Sequence, residues 1–295
     1  MKIFKYVLPV LAVGSMMAFT ACSDDDDNNG DIATGTPGVV NPSQVFTQGM
    51  PTQVDGMKFT TNDKGQVTEI TEGFGNYKTV YAFDYTGSSA AAASKATVPA
   101  HKVPSYYDMT MTVTEGSTVE EIFYITLDEN GFAKYAFEPS LDGDNESDEW
   151  WFGYSNDGRL NYMKRTEGDN EVTRMDYDAV GNITRVTRTD DEGMRDVMNI
   201  LYTDSNVTSP IANKGAIMLF DDCFGVDMDE FAPAYYAGLL GKATASLPVS
   251  SNDADDSQYG YTFSWTISEA GFPESLVIRN SGNVTGDSPI FFNWF

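Results

Sequence analysis

Histidine is all but missing from this chain, with His101 the single one in 295 residues. One imidazole with no cysteine beside it leaves the common zinc ligand sets incomplete unless carboxylates fill them. Cysteine occurs twice, and Cys22 closes an N-terminal leader, so Cys223 is left without a disulfide partner. It lies in LFDDCF, beside aromatic residues, the setting of a buried inert thiol. Basic residues are scarce too: 18 Lys and Arg stand against 44 Asp and Glu, a net charge of −26. Such a surface repels polyphosphate, which excludes nucleic-acid binding. There is no GxSxG, no HExxH, no phosphate loop, no dinucleotide fingerprint and no Cys–His pair. No catalysis, cofactor or metal site is therefore expected.

The first 21 residues read as a targeting signal. Lys2 and Lys5 form its positive start, and the apolar residues 7–19 are too few, and wrongly flanked, for a stable membrane span. Phe19-Thr20-Ala21-Cys22 looks like a lipoprotein signal-peptidase site, with Phe19 where leucine is usual. The resemblance implies a fatty-acyl anchor, palmitate among its chains, on Cys22. The run Asp24, Asp25, Asp26 and Asp27 resembles the surface-export signal of outer-membrane lipoproteins from Gram-negative gut anaerobes. It implies an outer-membrane lipoprotein, on the cell surface or on the periplasmic face. Cleavage removes Lys2 and Lys5 and no acid, so the mature net charge falls to −28. Residues 22–45 are rich in Asp, Asn, Gly, Pro and Thr and read as a flexible tether, with a root-mean-square span of roughly 25 Å.

What remains, residues 46–295, suits one all-β domain. Its centre is WWFGYSNDGRLNYMKRTEGDNEVTRMDYDAVGNITRVTR at 150–188. Two similar units sit there, FGYSNDGRLNYM and MDYDAVGNITRV, with weaker copies around Gly65, Gly131 and Gly271. In each, apolar residues alternate with polar ones, a strand period, and then a polar turn ends in glycine. A type I turn whose next residue is left-handed fits that glycine, so each unit reads as a β-hairpin. Six places before the glycine stand Phe59, Ile125, Phe152, Met175 and Trp265. Five places after it stand Ile70, Ala136, Met163, Val186 and Leu276. The matched offsets favour repeated hairpins.

Further stripes alternate at period two: Tyr77, Tyr81, Phe83 and Tyr85; Tyr107, Met109, Met111 and Val113; Val119, Phe123, Ile125 and Leu127; and Tyr259 to Ile267. They read as core. The long loop at 86–105 carries His101, expected at the surface. The acidic loop at 141–149 lacks the glycine and closing glutamate of a helix-loop-helix calcium site and reads as a solvated hairpin tip. Residues 213–242 depart from the strand pattern. Phe231, Tyr235, Leu239 and Leu240 recur near helical spacing. Asp227 or Asp229 is placed to cap, Pro233 to begin and Gly241 to end one or two short helices that plug or cover the sheet.

YDAVGNITRVT resembles the tyrosine-aspartate repeat of bacterial shell and polymorphic-toxin proteins. Over a longer stretch, the repeated hairpins, then NKGAIMLF, YYAGLLGKATASLP and YTFSWTISEAGFPESLVI, resemble a family of uncharacterised gut-bacterial lipoproteins. That resemblance implies a porin-like, curled antiparallel fold and brings no activity. The expected architecture is a curled sheet or open barrel with one helical segment near 213–242. A membrane-spanning barrel is disfavoured, because Arg185 and Arg188, and likewise Lys164 and Arg165, fall on opposite faces of their strands. The expected role is a lipid-anchored envelope protein that binds a glycan or another extracellular ligand. Trp150 and Trp151 are the candidate ligand residues, one facing in and one out. The alternative is a carrier holding an apolar ligand inside the sheet.

Overall fold

The chain runs as antiparallel neighbours almost from end to end. The computed structural model describes residues 37–73, 75–87, 101–141, 147–166, 170–256, 258–281 and 289–294. The leader, Cys22, the acidic run, the start of the expected tether, most of the 86–105 loop, residues 142–146 and Phe295 lie outside these. The first twelve strands are β1 (Gln53–Val54), β2 (Met57–Thr61), β3 (Val67–Glu72), β4 (Thr79–Asp84), β5 (Met109–Glu115), β6 (Thr118–Leu127), β7 (Ala133–Pro139), β8 (Ser147–Tyr154), β9 (Leu160–Arg165), β10 (Val172–Tyr177), β11 (Ile183–Thr189) and β12 (Arg195–Leu201). A short two-stranded sheet follows, β13 (Ile211–Ala212) with β14 (Ser246–Leu247). The last four strands are β15 (Ser250–Asp253), β16 (Gly260–Ile267), β17 (Pro273–Asn280) and β18 (Ile290–Asn293). All but β13 and β14 form one closed barrel of sixteen strands. Closure comes from β1 pairing β18, Gln53 opposite Asn293 and Val54 opposite Phe292.

The five glycine-centred units are hairpins of one design. Gly65, Gly131, Gly158, Gly181 and Gly271 have φ of 76°, 84°, 83°, 94° and 85°. Each donates its N–H to the carbonyl three residues back, at 2.9 to 3.2 Å. That earlier residue is Asn62, Asp128, Ser155, Asp178 or Ser268, and its side-chain oxygen accepts the N–H four residues on. A register shift follows in every case, leaving one strand with an extra residue. With that bulge in place, the apolar offsets become direct cross-strand pairs: Phe59 with Ile70, Ile125 with Ala136, Phe152 with Met163, Met175 with Val186, Trp265 with Leu276. A sixth turn, Asp190 to Gly193, has the same bonds. It lies at the other end of the strands and no shift is recorded there, so its flanking residues carry no matching offsets.

The paired apolar residues point into the barrel. Ile70, Met109, Met111, Ile125, Trp150, Met163, Val186 and Leu276 are buried there. The alternate positions carry Lys58, Thr60, Glu69, Thr112, Arg174, Asp176, Arg185 and Ser264 and face outward. A lipid-facing barrel has the reverse pattern, and Arg or Lys at mid-bilayer costs about 2–4 kcal/mol each. This wall therefore faces water. Its interior is filled by two stretches of the same chain, residues 37–50 and the excursion between β12 and β15. Val40, Val45 and Phe46 come from the first, and Phe224, Phe231, Tyr235, Leu239 and Leu240 from the second. Phe231 stacks on Trp150 and Phe152, with centroids at 5.8 and 5.3 Å, and meets Phe123 edge-on at 5.1 Å.

The structure amends several expectations. The sheet is closed, not open. Val40, Val45 and Phe46 are buried in the core, so the last part of the expected tether to residue 45 packs into the barrel. The segment 213–242 holds two short 3₁₀ runs, Asp222–Phe224 and Asp229–Tyr235. Asp221 caps the first, and Asp227 accepts the Asp229 N–H at the start of the second at 3.2 Å, while Asp227 and Asp229 also hold an arginine. Pro233 stands inside the second run, where a missing N–H and a bulky ring keep the chain from an α-helical ladder. Tyr77 lies in a 3₁₀ turn at 88% exposure. Tyr107 and Val119 leave the interior stripe for a small cluster on the outer face with Ile122, Tyr124 and Phe137. Tyr259 precedes β16 and is exposed.

Candidate functional site

Two neighbouring tryptophans illustrate how the strand period sorts core from surface. Trp150 and Trp151 are adjacent in β8, so they face opposite ways. Trp150 is 1% exposed, packed on Phe231, with the Arg165 guanidinium 5.6 Å from its ring centre. Burial removes it from the candidate ligand residues. Trp151 emerges on the outer wall. Tyr135 of β7 and Lys164 of β9 are its cross-strand partners. The Tyr135 ring lies 5.7 Å away, and the Lys164 ammonium stands 5.1 Å over the indole. One step along, Gly153 opposes Tyr162, and Tyr162 opposes Arg174 of β10. A Cβ on Gly153 would stand 3.2 Å from that of Tyr162, so the missing side chain lets the tyrosine lie close to β8. The Arg174 guanidinium covers Tyr162 at 5.1 Å. Tyr135 donates to Glu149 at 2.8 Å, and burial, reinforced by that bond, pushes its phenol up. The result is a half-buried aromatic shelf, Tyr135, Trp151 and Tyr162, edged by cations.

Inside the barrel, at the end away from the five hairpin turns, a second constellation joins wall to filling. Arg165 of β9 reaches Asp229 at 2.8 Å, Asp227 at 3.1 Å and Glu171 at 3.8 Å. Arg188 of β11 reaches Asp222 at 2.9 Å, Asp196 at 3.0 Å and Glu171 at 3.3 Å. Glu171 bridges both arginines. Burial raises its carboxyl above the usual range even so, because desolvation exceeds what the two guanidinium groups return. Asp222 and Asp229 are raised by burial in the same way. Asp222, Asp227 and Asp229 belong to the filling, so these ion pairs pin the excursion to the wall. Sequence reasoning noticed that Arg165 and Arg188 face away from Lys164 and Arg185, but had no signal for their partners in the filling, Asp222, Asp227 and Asp229, 34 to 64 residues away.

His101 is half-buried, its Nε2 2.6 Å from the Tyr124 hydroxyl, and Lys102 stands 5.3 Å over Phe137, so this segment covers the small outer cluster. Cys223 is buried, and burial, aided by the nearby Asp221, pushes its thiol well up, as an inert thiol requires. Among the described residues no group of three or more His, Cys, Asp or Glu is arranged to hold a metal ion.

A family model described as a domain of unknown function (DUF4595) with porin-like fold matches residues 83–275. Among solved structures, the chain is similar to a porin-like protein from Bacteroides uniformis at TM-score 0.54 and 16% identity, over 80% of this chain and 87% of that one. At that identity the likeness shows the fold alone. A porin-like protein from Bacteroides vulgatus matches at TM-score 0.42 and 10% identity, over 84% of this chain and 99% of that one, and carries no argument. No curated protein matches.

Proposed function

The chain belongs to the family of domains of unknown function (DUF4595) with porin-like fold, and from that premise we propose that it is a lipid-anchored envelope protein that binds an extracellular glycan on the outside of its barrel. The observation that carries this reading is the shelf of Tyr135, Trp151 and Tyr162 on a wall whose interior is already filled. Ring faces bury the apolar faces of sugars, and hydroxyl-rich ligands suit a half-exposed aromatic surface with polar neighbours. The apolar-carrier alternative needs a lumen, and Phe231, Tyr235 and their neighbours occupy that space. Anchoring through Cys22 rests on the leader and the small residues Thr20 and Ala21 ahead of the cysteine. The acidic run at 24–27 supports the cell surface over the periplasmic face. The eleven-residue likeness to tyrosine-aspartate repeats is a matter of turn chemistry, and this reading takes no function from it.

The anchor is tested by growing cells with a fatty-acid analogue. Wild type is expected to take up label and Cys22→Ala to lose it; retained label in the variant removes the anchor. Ligand binding is tested with the mature protein on a panel of neutral and acidic polysaccharides. Trp151→Ala is expected to abolish retention with Tm within a few degrees of wild type. Unchanged retention would move the site off this shelf.

A further inference from the structure

The outer wall carries a feature that the shelf alone does not explain. Lys164, Arg174, Arg185 and Arg195 stand on four successive strands, β9 to β12, all facing out. Acids outnumber bases in this chain 44 to 18, so carboxylate partners are abundant. The inward Arg165 and Arg188 indeed gather five of them. Yet none of the four outward cations stands in an ion pair among the described residues. Asp176, directly across from Arg185, and Glu149, bonded to Tyr135, are the nearest acids by register, and neither pairs with them. The Arg185 Nε is shut off from water with no hydrogen-bond partner.

Three of these cations form a line. Lys164 opposes Val172, and Arg174 lies two residues further along β10. Arg174 opposes Thr187, and Arg185 lies two residues further along β11 in the same direction. Each step crosses one strand spacing and two residues, about 8 Å between Cα atoms. Trp151 and Tyr162 flank the head of the line, beneath Lys164 and Arg174.

We infer that the diagonal Lys164–Arg174–Arg185, together with the Trp151 and Tyr162 rings, is a binding track for an acidic polysaccharide bearing carboxylate or sulfate groups. The inference rests on the glycan reading above and names its ligand class. Sugar rings supply faces for the aromatics, and spaced anionic groups meet the spaced cations. Charge range selects this occupant. Within a Debye length, about 8 Å at physiological salt, the three cations dominate the local field. Beyond it lies a protein of mature net charge −28. A sparsely charged chain touches the track without bringing many charges against the acidic surroundings. Nucleic acid and anionic bilayers present dense charge over a wide area and are repelled.

Affinity electrophoresis of the mature chain in gels containing polygalacturonate, chondroitin sulfate or neutral dextran tests this, with anionic vesicles and duplex DNA as comparison arms. Retardation by one or both acidic polysaccharides is expected. The triple variant Lys164→Gln, Arg174→Gln, Arg185→Gln should weaken it by roughly tenfold or more, with Tm unchanged. Arg174→Gln alone, on the most open of the three, should weaken it measurably and keeps the test valid if the triple variant misfolds. Retardation only by dextran, lost in Trp151→Ala, overturns the track and leaves the glycan reading standing. No retardation by any polysaccharide overturns both. Equal binding of vesicles or DNA, lost in the same variants, overturns the track as a glycan site and makes it a general polyanion patch.

Discussion

Gly65 and Gly181 hold the same place in two hairpins, but an added side chain meets different surroundings at each. Both have φ in the left-handed region, 76° and 94°. A Cβ on Gly65 would meet nothing within 4 Å, whereas one on Gly181 would run into the Arg159 guanidinium. Gly65→Val therefore isolates the backbone strain and is expected to cost about 1–2 kcal/mol. Gly181→Val should cost more, since it also displaces Arg159 from the Ala243 carbonyl, which it reaches at 3.3 Å. Asp178→Ala removes acceptors for the N–H groups of Val180, Gly181 and Asn182 and should cost about 1 kcal/mol. Thermal and urea unfolding rank the three, and a Gly65→Val protein as stable as wild type overturns the strain argument. The tryptophans separate just as sharply. Trp150→Ala should lose about 3–5 kcal/mol because it empties a packed site beside Phe231, while Trp151→Ala should change ligand retention and little else.

At the scale of the element, the excursion between β12 and β15 is a filling pinned at both ends. At the hairpin end, Lys242 N–H donates to Gly158 O at 2.8 Å, Ala245 N–H to Gly181 O at 3.0 Å, and Ser246 N–H to Asn182 Oδ1 at 2.8 Å. At the other end the pins are the Arg165 and Arg188 ion pairs. Arg165 is buried but Asp227 and Asp229 are partly open to water, with side-chain exposures of 26% and 41%. Arg165→Met should therefore cost about 2–3 kcal/mol, below the value for a fully buried pair. Adding Glu171→Gln should restore part of it, because the most enclosed of the orphaned carboxylates is then neutral. A double-mutant cycle on these two positions measures that coupling, and strictly additive losses would deny it.

For the molecule as a whole, net charge and buried acids push stability in one direction with pH. Glu171, Asp222 and Asp229 are raised in the folded state, by burial above all. The folded chain thus holds their protons more readily than the unfolded chain, whose carboxylates titrate near about 4. These groups weaken the fold fully above their folded values, and the penalty fades as pH falls through them. Asp157, held down first by the Ser155 hydroxyl, and Asp178, held down by backbone N–H groups against its desolvation, act in the opposite sense. Both lie almost wholly in water, where screening leaves the effect small. Acidification also relieves the mutual repulsion within a chain of net charge −26. Tm is expected to be higher at about pH 5.5 than at about pH 8, and added salt to raise Tm more at the upper pH. Calorimetry at both values checks this, and a lower Tm on acidification overturns the sign.

The hairpins, their left-handed glycines and the sorting of Trp150 from Trp151 were legible in the residues, because turn chemistry and strand period are local. Apolar offsets at six before and five after each glycine even encode the cross-strand pairs, since every hairpin uses the same bulge. Acidity and the alternation of charge along β9 and β11 were enough to argue for a wall that faces water. Only the tertiary structure decided closure, since β1 and β18 meet across 240 residues with two pairs and no local signal. It also decided between the plug and the cover that the residues of 213–242 left open, in favour of a filling, and that Val40, Val45 and Phe46 belong to the core. Partner choice was beyond the sequence for the same reason. Arg165 and Arg188 find carboxylates across the interior, while Arg174 and Arg185, of the same chemistry and a few residues away, find none among the described residues. That difference follows from the side of the strand on which each falls and from what the folded chain brings against it.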